Sequence, residues 1–245
     1  MRNILIILRR ELFAYFYSPI AYICLFVTLI VCGTIYWVIL LELSNPRFQE
    51  LGGAMAYFFG PVMFIWVLPI CPALTMRLLA EERRTGTIEI LMTAPVTEAE
   101  VVLAKFLGAF LFYGLLWTPS LVYVFILSLV ADPDPGPIFT GYVGALVVGM
   151  LFVSVGTFTS SLTRNQIVAY ITALVINLLL MIAGIFTVTT QNARVKSLIS
   201  YINIFDHFQN FSRGILDTKN LVYYFSLTAF TLFVTVRVLE SRKWR

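Results

Sequence analysis

Charge is scarce in this sequence: of 245 residues only 12% are Asp, Glu, Lys or Arg, about half the share found in soluble domains. There is one histidine, and neither an HExxH nor a GxSxG motif nor a GxxxxGK[ST] loop that could cradle nucleotide phosphates. Zinc hydrolysis, serine-type acyl transfer and nucleotide hydrolysis by this chain are therefore not expected, and the chain is read as non-catalytic. Cys24, Cys32 and Cys71 lie in apolar blocks without CxxC spacing, so they read as buried thiols, with no disulfide and no metal site. The apolar blocks also lack central acids of the kind a proton-driven pump uses; Glu42, Arg77 and Arg237 stand near block ends, where long side chains reach water. The net charge is +4, but the basic residues flank apolar blocks instead of forming a stripe, which argues against a nucleic-acid partner.

What the sequence has in abundance is apolar surface, with 60% hydrophobic residues and a mean hydropathy of +0.89. It comes in runs of about 20 residues, the length a helix needs to cross a hydrocarbon core roughly 30 Å thick. The pattern predicts an all-α, polytopic membrane protein, one domain over 1–245, with six spans near 20–41, 57–79, 101–130, 141–162, 167–188 and 221–239. Residues 1–17 alternate Ile4, Leu5, Leu8 and Leu12 with Arg2, Arg9, Arg10 and Glu11, the pattern of an interfacial helix lying on the membrane. Pro61, Pro69 and Pro72 in the second span, and Pro119 in the third, are tolerable where neighbouring helices satisfy the freed carbonyls. In the fourth, Gly141, Gly144, Ala145, Gly149, Ser154 and Gly156 allow close helix packing.

Two polar segments stand out. In 81–100, EERRTGTIEILMTAPVTEAE, Glu81, Glu82, Arg83 and Arg84 continue the second helix into water, and Thr85 and Gly86 permit a break. Thr87, Ile88 and Glu89 open a second short helix, and Pro95 with Thr97 starts the third span. A loop this short and this structured makes a knob at the membrane surface. In 189–220, Ile199, Ile202, Phe205, Phe208, Phe211 and Ile215 form an apolar stripe, as in helices lying in or dipping into the outer leaflet. His207, alone on an amphipathic helix, reads as an interfacial residue.

The run of Glu82, Arg83, Gly86, Thr87, Glu89, Leu91, Thr93, Pro95, Val96 and Glu100, followed by Lys105 and Gly108, resembles the segment between the second and third helices of type 2 ABC transporter permeases. RRELFAYFYSPIAYI near the start and DHFQNFSRGILDTKNLVYY before the last span are similar to gliding-motility-type permeases of that family. Arg84 departs from many relatives, which carry another polar residue there. The resemblance implies that Glu81 to Glu89 form a coupling segment docking on an ATPase. It also implies short re-entrant helices at an outer gate, where Ile202, Phe205, His207, Phe208, Phe211 and Gly214 would fall. The implied assembly has two ATPase chains, a second permease copy or paralogue, and in some relatives a partner with an extracytoplasmic domain. ATP and magnesium would sit on the ATPase, none on this chain, and the implied activity is export. A stand-alone secondary transporter or a membrane scaffold is the alternative, weakened because the proline breaks of the second and third spans have no counterpart in the fifth and sixth.

Orientation follows from basic residues, which stay on cytoplasmic flanks. Across six alternating spans, 12 of the 17 Lys and Arg fall on the side of Arg83 and Arg164, so both termini are expected in the cytoplasm of an inner-membrane protein. With the native cysteines removed, single cysteines at Ser44 and Gln191 should react with an impermeant thiol reagent added to intact cells, and one at Thr163 should not. Labelling at Thr163 from outside would overturn this orientation.

Overall fold

The structure, a computed structural model, describes residues 2–42, 57–87, 96–130, 133–182 and 203–242. Ten helices are described: α1 (Arg2–Phe16), α2 (Pro19–Glu42), α3 (Pro61–Thr75), α4 (Ala80–Arg84), α5 (Glu98–Trp117), α6 (Ser120–Val130), α7 (Pro135–Leu162), α8 (Gln166–Ile182), α9 (Ile204–Ser212) and α10 (Thr218–Arg242). No strand occurs among the described residues. Among the described residues five stretches are long and apolar enough to cross a membrane: Pro19–Glu42, Met63–Arg84, Glu98–Leu129, Pro135–Leu162 and Thr218–Ser241. The expected fifth span is present as α8, an apolar helix of 17 residues; its expected end at 183–188 lies outside the described residues, as do Ile199 and Ile202.

Helix ends follow local chemistry. Thr97 and Glu100 form a capping box that starts α5, the Thr97 hydroxyl accepting from the Glu100 amide at 3.3 Å and the Glu100 carboxylate from the Thr97 amide at 3.1 Å. Asp134 caps α7 by accepting from the Gly136 amide at 2.9 Å, with Pro135 in the first turn. That cap starts the fourth span six residues ahead of its expected start at Gly141. Pro119, placed by the sequence inside the third span, falls in a turn between α5 and α6. Lacking an N–H, Pro119 cannot serve the Leu115 carbonyl four residues back, which accepts from the Thr118 amide at 3.1 Å, and the Ser120 hydroxyl donates to Trp117 O at 2.6 Å.

The fold is organised around α7, which is buried along most of its length and touches α3, α5, α8, α9 and α10. Its glycines explain how so many neighbours come close. A Cβ added at Gly149 would stand 2.0 Å from the Tyr113 ring, one at Gly156 1.9 Å from Thr75 Oγ1, and one at Gly141 2.3 Å from Phe59. In lipid, where apolar surface alone does not drive helices together, such close approach supplies the dispersion contact that does. The three cysteines are buried and free, as expected.

α1, expected as an interfacial helix lying on the membrane, also packs against the bundle. One face packs along the start of α5, where Ile7, Val101 and Ala104 form a small buried cluster. Gly108 admits α1 here, since an added Cβ would meet Glu11 Cβ at 3.0 Å. Leu5, Ile6, Phe13 and Phe16 remain exposed on other faces.

At the opposite end of α7, α9 packs its apolar face against the bundle. Ile204, Phe208 and Phe211 are buried, and Phe208 meets Phe64 edge-on at 5.0 Å while both Phe208 and Phe211 abut Gly144. Gly214, with φ +87°, ends the helix in a Schellman turn, its amide donating to Phe211 O and that of Ile215 to Asn210 O. The expected apolar stripe is corrected at one place: Ile215 is 54% exposed, because the helix stops before it and the chain has turned. Burial of a Phe side chain is worth about 2 kcal/mol, so Phe208→Asp should sharply lower the yield of folded protein, whereas Gln209→Asp, one position off the buried face, should be near neutral. Size-exclusion profiles in detergent compare the two; equal tolerance would contradict this packing.

Candidate coupling site

The second span is interrupted between α3 and α4. Pro69 and Pro72 inside α3 remove two amide donors, and residues 76–79 form turns before α4 begins. Leu78 donates to Thr75 O instead of Leu74 O, which frees the Leu74 carbonyl, and the Tyr15 hydroxyl of the α1 end donates to it at 2.7 Å. Ser160 of α7 serves the same interruption from the other side. Its hydroxyl accepts from the Leu79 and Ala80 amides, both at 3.0 Å, and lies 3.1 Å from Met76 O, to which it donates. The Arg77 guanidinium donates to Ser18 Oγ at 2.6 Å.

α4 is held from two sides. Towards the α7–α8 turn, Arg83 donates to Ser161 O and the Gln166 amide to the Glu81 carboxylate. Towards α1 and α5, Glu82 takes part in a ring of four charges. Lys105, only 1% exposed, places its Nζ 2.9 Å from Glu11 Oε1 and 2.8 Å from Glu82 Oε1. Arg10 closes the ring, 2.9 Å from the same Glu11 oxygen and 3.2 Å from the same Glu82 oxygen. Burial pushes the Glu11 carboxyl up, but Lys105 and Arg10 more than offset this and hold it below the usual carboxylate range. The sign follows: this stabilisation is fully present above the unfolded carboxylate range and is lost as pH falls through the lowered folded value. Beside the ring lies a cavity of about 150 Å³, lined among others by Tyr15, Ala21, Leu74, Arg77, Glu82 and Lys105.

Beyond this held portion α4 ends at Thr85, and Gly86 follows with φ +74°, the left-handed conformation that closes a helix. Arg84, Thr85, Gly86 and Thr87 are exposed. Ile88 and Glu89 lie outside the described residues. The structure thus brings Glu81, Glu82, Arg83, Arg84, Thr85, Gly86 and Thr87 together at one end of the bundle. Within this group Glu82, expected to reach outward to a partner, faces inward to Lys105. Sequence reasoning missed Tyr15, Ser160 and the partnership of Glu11 with Lys105. The available signal was a single Lys in the apolar run VVLAKFLG, about two turns inside α5.

The residues expected at an outer gate gather at the other end. Phe205, His207, Phe208, Phe211 and Gly214 lie on or just after α9; Ile202 is outside the described residues. His207 is buried, its Nδ1 2.7 Å from Asn220 Oδ1 and its ring stacked on Tyr223 at 4.4 Å. It is an interior residue and not the interfacial one expected. The Tyr224 hydroxyl donates to Ile204 O at 2.8 Å and the Thr140 hydroxyl to Phe211 O at 2.6 Å, which ties α9 to α10 and α7.

Long apolar helices, an exposed knob braced from two sides at one end, and a packed amphipathic helix at the other make up this membrane domain. No curated protein matches the sequence. The family profile described as ABC-2 family transporter protein matches residues 14–239, which covers most of the chain, including the segment from Glu81 to Glu89 and α9. The chain therefore belongs to the ABC-2 transporter family, as a non-catalytic, multi-pass membrane permease subunit of an ABC transporter.

Proposed function

We propose that this permease couples ATP hydrolysis on a separate ABC ATPase to export of a substrate across the inner membrane, with both termini in the cytoplasm. Two ATPase chains, carrying the ATP and magnesium, would act on this chain paired with a second copy or a paralogue, and a partner with an extracytoplasmic domain would complete some assemblies. The docking surface is the knob from α4 through Glu89. The observation that carries this reading is the division of α4: Glu81, Glu82 and Arg83 are bound within the chain, while Arg84 to Thr87 are exposed on the same short element. A contact that receives force needs both an exposed face and a braced back. The resemblance of RRELFAYFYSPIAYI and DHFQNFSRGILDTKNLVYY to gliding-motility-type permeases supports assigning this chain to that group.

Gly86 provides the test. Among the described residues a Cβ there would meet nothing within 4 Å, so the effect of substitution falls on the positive φ. Placing an L residue in that conformation costs about 1–2 kcal/mol, equivalent to roughly a fivefold to thirtyfold change in an equilibrium. Gly86→Val should insert and fold, yet recover about tenfold less ATPase on purification with native partners. Lys219→Ala, at the far end of α10, should recover as much as the wild type. Full ATPase recovery with Gly86→Val would remove the knob as the docking site. A wild-type preparation with no ATPase would favour the secondary-transporter or scaffold reading.

A further inference from the structure

We infer that Lys105 is the positioning residue of a force-bearing joint, through which displacement of the coupling segment is delivered to α1 and α5. The inference deepens the proposed coupling function and rests on it. Three helices meet at one ammonium: Glu11 from α1, Glu82 from α4 and Lys105 from α5, with both carboxylates within 2.9 Å of Nζ. The carboxylate side chains are 12% and 18% exposed and Lys105 is 1% exposed, whereas Arg10 is 55% exposed. Solvent therefore screens the Arg10 contacts far more than those of Lys105, and the lysine dominates the link.

Two further observations make this link a joint and not just an anchor. α4 is not continuous with α3, since residues 76–79 intervene as turns, so the α3 backbone does not rigidly carry movement of α4. In addition, the space between α4, α1 and α3 is partly empty, with the cavity of about 150 Å³ bordered by Glu11, Glu82 and Lys105. Where packing is absent, load passes through the contacts that remain. On this side of α4 the ionic contacts of Glu82 to Lys105 and Arg10 bridge to α5 and α1. Removing the ammonium would leave the Glu11 and Glu82 carboxylates facing each other with only an exposed arginine between them, and α4 would separate from α1 and α5.

The test uses the permease purified with its native ATPase, comparing amide hydrogen exchange at 2–16 and 98–108 without nucleotide and after trapping with ATP, magnesium and vanadate. Wild type should change its exchange in both segments on trapping. Lys105→Met should bind the ATPase at wild-type stoichiometry and trap nucleotide, but the change in both segments should fall at least threefold, and Lys105→Arg should restore it. A charge-free triple variant, Glu11→Gln with Lys105→Met and Glu82→Gln, avoids buried unpaired carboxylates and should show the same loss if the ionic link carries the movement. Retention of the full change by Lys105→Met or by the triple variant would overturn the joint. So would failure of Lys105→Arg to rescue, or a loss of ATPase binding in Lys105→Met, which would make the lysine part of docking. A wild-type complex without ATPase would instead overturn the docking reading beneath it.

Discussion

A broken helix inside a membrane protein must find partners for its freed amides and carbonyls within the protein, because lipid offers none. The interruption between α3 and α4 meets that constraint by recruiting other helices: Tyr15 from α1 reaches the Leu74 carbonyl, and Ser160 from α7 serves Met76, Leu79 and Ala80. Each of these hydrogen bonds is also a tertiary contact. The break therefore fixes where α1 enters the bundle and where α7 must end, and it presents α4 at the surface at a defined place. A continuous second helix would have required none of these contacts and would have left α1 and α4 less constrained.

The same region concentrates charge, and burial decides how much each charge counts. Arg10 and Arg84 are mostly exposed, and ion pairs of that kind contribute little. Lys105 is different, because a buried ion whose partner is removed destabilises by about 3–5 kcal/mol. Two carboxylates on one ammonium, with Arg10 beside them, make the group neutral overall, which permits burial so close to the apolar core. The result is a specific junction between helices distant in sequence, from Glu11 to Glu82 to Lys105, in a place where apolar packing is incomplete.

Much of this was legible from the residues. Run length gives the spans, Pro95 with Thr97 gives the start of α5, and Gly86 gives the end of α4, since each is a local effect within a few residues. The Lys105 ring was not legible, because nothing in the spacing of Glu11, Glu82 and Lys105 states that α1 folds back along α5. Glu82 looked outward for the same reason: on a short polar helix every charge looks solvated until the neighbouring helices are placed. At the other end the α9 face was recognisable through Phe208 and Phe211. Ile215 was misplaced because the Schellman turn at Gly214 ends the helical period one residue before it.

The two candidate sites are joined by α7, whose 28 residues extend about 42 Å at 1.5 Å per residue. α9 rests on it at Thr140 and Gly144, and the interrupted second span rests on it at Gly156 and Ser160. These contacts differ in kind from the Lys105 ring. Where a missing Cβ is what allows the approach, as at Gly149 and Gly156, the partners cannot slide without colliding, so α7 moves together with the parts of α3 and α5 that it grips. The ionic ring borders a cavity instead, and holds Glu11, Glu82 and Lys105 together by charge where no steric lock does. The fold thus pairs a rigid rod running between its two ends with an ionic link at the end where α4 is exposed. A displacement of α4 that keeps this link intact carries α1 and the start of α5 with it.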